Sequence, residues 1–403
     1  MSIQPRRVSR PHRRLVSRAG ALVAAATVVA GCSSGASSGG PTTTTLPVLP
    51  ANSAIGQPIA ATGARLTAVS CSTATRCWAV GTAATPVALA ASPLTIERTT
   101  NGGATWVPQA APVSATTDLD GVSCVGQSFC LAGGYAQGSV ATTGAVYVTS
   151  NAGASWQAVA VPSGALALDD VVCTTSASCI ALATNGNGWF AATTTNAGVA
   201  WTVAGSLPAG FAAPGALSCP AAGECLVAGY TVSSPGHGAG MVAVTTDDGA
   251  AWTAPALPSG VGLLHGISCA TPQDCLAVGT TSTGTLSVTV GTPAVVTTAD
   301  AGQTWTSGAP PSGIGDAFAA SCPDTSHCAV VGTKMTGTPA IPVGAAATTS
   351  DAAATWRSPV LRYLPVGLTA LDCPTSRLCI AVGGDELARL SFPTPKTHGN
   401  AAG

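Results

Sequence analysis

This chain of 403 residues has little charge and few aromatic rings: 8% of its residues are charged and 4% are aromatic. It is nevertheless no disordered polymer, because apolar residues reach 46% and recur regularly. Uninterrupted helix-forming stretches are missing, since Gly, Pro and β-branched residues punctuate the sequence throughout. A basic surplus is also missing. Six of the arginines (Arg6, Arg7, Arg10, Arg13, Arg14, Arg18) crowd the first 18 residues, and after Cys32 there are 9 basic residues against 16 acidic ones. An acidic body of about −7 excludes a nucleic-acid-binding footprint. No apolar run reaches the ~20 residues of a membrane-spanning helix. The five histidines stand singly, which speaks against a zinc site, where several ligands must gather.

The basic start is followed by AGALVAAATVVA (residues 19–30) and then Gly31-Cys32. A basic n-region and a short apolar h-region predict an export signal. The ending Val29-Ala30-Gly31-Cys32 resembles the bacterial lipoprotein box. That resemblance implies removal of residues 1–31, a lipid thioether on Cys32 and a membrane partner reached through more than one acyl chain. It places the protein outside the cytoplasm. Residues 32–50, rich in Ser, Gly, Thr and Pro, read as a tether, and residues 396–403 as a flexible tail.

Between them, residues 51–395 repeat. Cysteines spaced C-x5-C occur as Cys71/Cys77, Cys124/Cys130, Cys173/Cys179, Cys219/Cys225, Cys269/Cys275, Cys322/Cys328 and Cys373/Cys379. Steps of 53, 49, 46, 50, 53 and 51 between the first cysteines mark a repeat architecture. Short apolar runs flank each pair, such as LTAVS before Cys71 and WAVG ending at Gly81.

About 30 residues on, a second motif occurs six times: TTNGGATW, TSNAGASW, TTNAGVAW, TTDDGAAW, TADAGQTW and TSDAAATW. It resembles the Asp-box (BNR) repeat of the sialidase-like β-propeller superfamily. The residues that carry the resemblance are Asn101/Trp106, Asn151/Trp156, Asn196/Trp201, Asp247/Trp252, Asp300/Trp305 and Asp351/Trp356. Asn replaces Asp in the first three, and Ala353 replaces Gly in the last. Asp or Asn bonds the N–H groups of its own turn, Gly accepts a positive φ, and Trp fills the space between blades. This chemistry is structural.

Each unit therefore reads as four short strands, A to D, with a cysteine pair across the A–B hairpin. The fold expected is all-β: a seven-bladed propeller of four-stranded antiparallel blades. The seventh unit has a C-like strand in ELARLSF (Glu386 to Phe392) and no D strand. Residues around Ser53 to Ala60 can supply it, closing the ring and leaving no free edge. Fourteen paired cysteines plus Cys32 account for all 15. An exported chain retains disulfides, each adding ~2.4 kcal/mol in the chain-entropy model.

In such blades the A–B and C–D loops share one face, which reads as scaffold. The B–C and D–A loops share the other, the candidate binding face. Four residues before each first Cys the blades differ: Thr67, Asp120, Asp169, Gly215, His265, Phe318 and Thr369. Asp120, Asp169 and His265 form a candidate polar rim for a cation or a hydroxyl-rich ligand, with Asp118, Asp170 and Asp316 near. The competing reading is solvated carboxylates. The B–C loops add Tyr135, Trp189, Phe190, Tyr230 and His237, and the loop around Lys334 is a further partner candidate.

A sialidase resemblance implies an arginine triad and a Tyr activated by Glu. Arg76 and Arg377 sit in C-x5-C loops and Arg357 follows a box Trp, leaving too few arginines for the mouth. None of Glu97, Glu224 and Glu386 is placed beside a tyrosine. Among superfamily members, the non-enzymatic photosystem II assembly-factor and sortilin-type propellers are the better resemblance. The reading is a surface-anchored monomeric scaffold for an unknown protein or glycan, not an enzyme, with no cofactor and no metal. The other readings are a carbohydrate-recognition propeller and a divergent glycosidase.

Overall fold

The structure, a computed structural model, describes residues 54–58, 64–83, 94–110, 117–138, 141–234, 237–281, 292–338, 340–359, 361 and 367–392. The leader, Cys32, the tether and the tail at 396–403 lie outside the described residues. The chain divides into units of residues 1–45 and 46–403, and every described residue belongs to the second. The described residues contain only strands, turns and loops, and no helix among them is long and apolar enough to cross a membrane.

Seven antiparallel sheets follow one another along the chain, forming a seven-bladed β-propeller. The A strands are Ala64–Cys71, Thr117–Val125, Ala167–Cys173, Phe211–Ala221, Val261–Cys269, Asp316–Ser321 and Ala370–Thr375. Each touches its neighbour around the circle, and the last touches the first. Ring closure is chain end on chain end. Ala54–Pro58 pairs antiparallel with Glu386–Leu390, Gly56 opposite Ala388, and becomes the outermost strand of the seventh blade. Elsewhere strand D is short. In blades 4 and 6 it shrinks to single bridges, Val244 with Thr253 and Thr348 with Arg357. Pro255 and Pro359 follow within two residues, and proline cannot donate to a ladder.

There is no single core. Seven apolar layers each span one blade junction, as with Trp78, Val80 and Ile96 of blade 1 against Leu119, Val122 and Tyr147 of blade 2. The layer between blades 7 and 1 joins Ile380, Val382 and Leu387 to Leu66, Val69 and Ala79. Alanine suits these layers because the sheets lie close together.

The box tryptophans are not equivalent, contrary to a uniform role as interblade filler. Trp156 and Trp305 are buried in their layers, 5% and 6% exposed. Trp106, Trp201, Trp252 and Trp356 are only half-buried, each packed against the edge of the layer it shares with the preceding blade. Two of these four turn their ring N–H to a carbonyl of that preceding blade: Trp201 to Ala160 at 2.9 Å and Trp356 to Ala309 at 2.8 Å. An indole has an apolar body and a polar edge, so it settles where one side is dry and the other wet.

Seven disulfides staple the A–B hairpins: Cys71–Cys77, Cys124–Cys130, Cys173–Cys179, Cys219–Cys225, Cys269–Cys275, Cys322–Cys328 and Cys373–Cys379, with Cα separations of 3.9 to 4.1 Å. The second cysteine of each pair is buried, at the head of strand B. On the same face lie the six box turns. In each, the side-chain oxygen of the Asn or Asp accepts the N–H four residues on, as from Thr105 to Asn101 (2.9 Å) and from Thr304 to Asp300 (2.9 Å). The next residue donates its N–H to a carbonyl of the disulfide loop in the same blade, Ala152 to Ser128 (2.8 Å) for example. The box sequence predicts a positive φ at its glycine. The residue before it is left-handed as well, at Ala152, Ala197, Asp248, Ala301 and Ala352.

A second ring of bonds is not apparent from the repeat pattern. The residue before the first Cys of one blade accepts the N–H of the first Cys of the next: Ser70 from Cys124 (3.0 Å), Ser123 from Cys173 (2.9 Å), Ser218 from Cys269 (3.1 Å), Ser268 from Cys322 (2.9 Å) and Ser321 from Cys373 (3.0 Å). Asp372 does the same for Cys71. Between blades 3 and 4 the position is Val172, which has no acceptor, and Asp170 bridges instead by accepting the Leu217 N–H at 2.9 Å.

Candidate functional site

The A strands surround a central cavity of about 370 Å³. Thr67, Asp120, Asp169, Gly215, His265, Phe318 and Thr369 all line it. They reach it by one device. In six blades the A–B ladder skips this residue: the register jumps from Leu66 to Ala68, Leu119 to Gly121, Leu168 to Asp170, Pro214 to Ala216, Leu264 to Gly266 and Ala317 to Ala319. Thr369 directly precedes the seventh A strand. A β-bulge frees a side chain from the pleat and re-aims it.

The facing strand B makes room with glycine. A Cβ built on Gly134 would overlap the carbonyl oxygen of Asp118, and one on Gly279 that of Leu263. Six of the seven apolar runs after the second Cys carry glycine here, and Ala183 takes the place in blade 3.

The lining is uneven. Blades 2 and 3 supply carboxylates. Burial pushes Asp120 up to about 7, with help from Asp118 and against a smaller pull from Arg65. Asp169 is pushed up to about 8, by burial first and then by Asp120 and Asp170. Asp170 is raised less, to about 6, because the N–H groups of Leu217 and Val171 offset its burial. The Tyr135 hydroxyl is held protonated by burial and by its hydrogen bond to Asp118. Blades 5 and 6 supply the rings His265 and Phe318 instead, and Tyr230 of blade 4 packs on His265 outside the lining. Tyr230 meets His265 edge-on at 6.5 Å between centroids, and His265 meets Phe318 at 5.5 Å.

The structure thus gathers the three rim residues, Asp120, Asp169 and His265, around one cavity. Asp170 lines it too but serves as a blade-to-blade tie. The other candidates stand apart. Asp316 opens the A strand of blade 6, opposite Thr333. Phe190 is buried in a blade junction, and the half-buried Trp189 donates its ring N–H to Ala212. His237 opens the C strand of blade 4. Lys334 lies within strand B of blade 6, opposite Val343. No glutamate lines the cavity: Glu97 and Glu386 are buried in C strands, and Glu224 opens a B strand.

The disulfides and box turns contribute nothing to this lining, whereas Ser70, Ser123, Ser218 and Ser268 of the serine ring do line it. The disulfide cysteines Cys77, Cys130, Cys179, Cys225 and Cys379 sit at the far end of their B strands, and none of them lines the central cavity. Neither do Trp106, Trp201, Trp252 and Trp356, which stay at the box turns. A separate cleft of about 360 Å³ lies among these turns, between blades 5 and 6, where Asp300 and Thr304 face Cys275, Cys322 and Cys328. Its Asp300 is already satisfied by its own turn. Among the described residues, no group of three or more His, Cys, Asp and Glu converges for a metal ion.

The fold defines the chain as a seven-bladed propeller with a lined central channel. No protein-family model matches the sequence, and no curated protein matches it either. Solved structures do. It is similar to YCF48 bound to D1 peptide, at 15% identity and a TM-score of 0.60, covering 87% of this chain and 99% of that one. It is similar to YCF48 from Cyanidioschyzon merolae, at 12% identity and a TM-score of 0.59, over 83% of this chain and 98% of that one. A GH74 xyloglucanase from Xanthomonas campestris aligns at 13% identity and a TM-score of 0.55, over 84% of this chain and 53% of the enzyme. Identities this low show a shared fold.

Proposed function

We propose that this chain is an exported lipoprotein, anchored through Cys32, whose propeller is a non-enzymatic scaffold that binds a protein partner at the channel-mouth face. The observation that carries this reading is the contrast between faces. Disulfides and box turns repeat from blade to blade, whereas the seven positions four residues before each first Cys, at the mouth, carry five residue types. Variable side chains on a rigid, repeated frame are how binding surfaces are built. Exposed apolar residues on B–C hairpins of the same face, Met335 (44%) and Ile341 (55%), suit a protein partner. The fold shared with a peptide-bound YCF48 supports the same reading. The six box sequences support placement among the sialidase-like propellers.

The test is crosslinking and affinity capture from the native envelope with the anchored protein. A partner enriched over a mock-anchored control supports the reading. Empty capture, or sugar release from a panel of chromogenic glycosides, overturns it. Cys32→Ser should move the protein out of the membrane fraction.

A further inference from the structure

We propose that the channel mouth seats one cationic side chain of a partner peptide, arginine or lysine, between the carboxylates of blades 2 and 3 and the rings of blades 5 and 6. This deepens the scaffold reading above and rests on it.

The carboxylates come first. Asp120 and Asp169 line the cavity and receive no hydrogen bond from any described group. Both are half-buried, with their carboxyl groups at the cavity. The neighbouring carboxylates show that this is a choice of the fold. Asp170, one residue along the same strand, is bonded by the N–H groups of Val171 and Leu217, and Asp372 is bonded by Cys71. Two adjacent unneutralised carboxylates call for a cation.

The opposite wall selects the kind of cation. His265 and Phe318 line it edge-on to each other, and Tyr230 packs edge-on against His265. Aromatic faces attract guanidinium and ammonium groups, and a planar guanidinium stacks on rings while its N–H fork meets carboxylates. A hard metal ion needs a converging shell of oxygen ligands, and among the described residues no group of three or more His, Cys, Asp and Glu converges for one. A cavity of about 370 Å³ is large enough for one long side chain.

The other groups facing the pair are known. Asp118 is engaged with Tyr135, Arg65 is exposed at the start of the first A strand, Asp170 and Asp372 are tied to backbone, and His265 faces from blade 5. With the mouth empty, burial and mutual repulsion keep Asp120 and Asp169 partly protonated near neutrality. An entering cation therefore displaces protons, and binding strengthens as pH rises.

The experiment is calorimetric titration of the whole protein with acetyl-Gly-Arg-Gly-amide, its lysine counterpart, the uncharged citrulline counterpart and the free cation agmatine. The expected results are saturable binding of the arginine or lysine peptide at pH 8 and at least tenfold weaker binding of the citrulline peptide. Heats should vary with buffer ionisation, reporting proton release, and affinity should fall at least tenfold at pH 5. Asp120→Asn with Asp169→Asn should abolish binding while raising thermal stability, and Phe318→Ala should weaken it. Equal affinity for citrulline and arginine peptides overturns the proposal. So do absence of binding at millimolar peptide, an unchanged affinity in the double variant, and binding of agmatine without the peptides. An envelope partner still captured by the double variant would end this proposal and leave the scaffold reading standing.

Discussion

Asp372 accepts a hydrogen bond from the backbone N–H of Cys71 at 2.6 Å, across 301 positions of sequence. With the bond from the Leu66 N–H to the Gly384 carbonyl (2.7 Å), it ties the last blade to the first. At five other junctions a serine does this work, so the closing junction alone uses a carboxylate at this position.

Replacing Asp372 with Ala leaves the Cys71 N–H without an acceptor at the closing junction. Chemical denaturation with the disulfides intact should show a loss of about 1–3 kcal/mol. Asp372→Ser restores the acceptor found elsewhere and removes a carboxyl that burial pushes up to about 6. Its stability at pH 8 should equal or exceed that of the wild type.

Stability should fall as pH rises from 5 to 8. Asp120, Asp169, Asp170 and Asp372 all have folded-state pKa values above the ordinary carboxylate range. Across that window the folded state holds protons that the unfolded chain has released, so each pH increment favours unfolding. The box carboxylates behave oppositely. Hydrogen bonds from Thr304 lower Asp300 to about 2, and Asp247 and Asp351 are also lowered by their turns. Their contribution is lost only as pH falls below about 4. The pH profile of the denaturation midpoint should therefore peak near pH ~4–5, with a decline on the order of 3 kcal/mol towards pH 8.

Gly302 and Ala353 occupy the same place in successive boxes, and their exchanges should be unequal. Gly302 sits at φ 81°, where a Cβ would come 2.8 Å from Leu226 Cδ2 and 3.0 Å from Val244 Cγ2. Gly302→Ala should cost roughly 2–3 kcal/mol from backbone strain plus overpacking. Ala353 carries the strain already, at φ 66°, and its buried methyl packs in the layer between blades 5 and 6. Ala353→Gly relieves strain but loses that packing and adds chain entropy, so it should stay within about 0.5 kcal/mol of wild type. Melting curves of the two variants check both.

A chain beginning after Pro58 lacks the strand that covers Glu386–Leu390. The exposed edge should lower the melting temperature and drive association, visible as concentration-dependent light scattering. Added peptide AIGQP should restore part of the loss.

The architecture was legible because its signals recur: a cysteine pair and a box fix blade number, strand order and face. The closing strand was legible as one surplus at the start and one deficit at the end. Other features escaped. The serine before the first Cys stands in five of seven units, yet its acceptor role appears only when blades lie side by side. The glycine four residues after the second Cys was visible in WAVG and LAVG, but its purpose depends on a bulge in another strand. The depth of each box tryptophan is a tertiary outcome too: Trp305 and Trp356 end similar octapeptides, yet one is buried and the other half-buried. The shortened D strands of blades 4 and 6 follow from Pro255 and Pro359, where local chemistry overrode the repeat. At the mouth, alignment to the cysteines named Thr67, Asp120, Asp169, Gly215, His265, Phe318 and Thr369, all of which line it. It did not show that acids gather on one side and rings on the other.

A residue skipped by its ladder can be exchanged without shifting the register of the sheet that carries it. At Gly215 the His265 backbone, 2.7 Å from where a Cβ would stand, fixes glycine; Thr67, Asp120, Asp169, His265 and Phe318 are all of this kind. Selection can rewrite them one at a time, like letters in a short word whose typeface stays constant. A library randomised at these codons should yield mostly well-folded members, each presenting a different chemical vocabulary at the channel mouth.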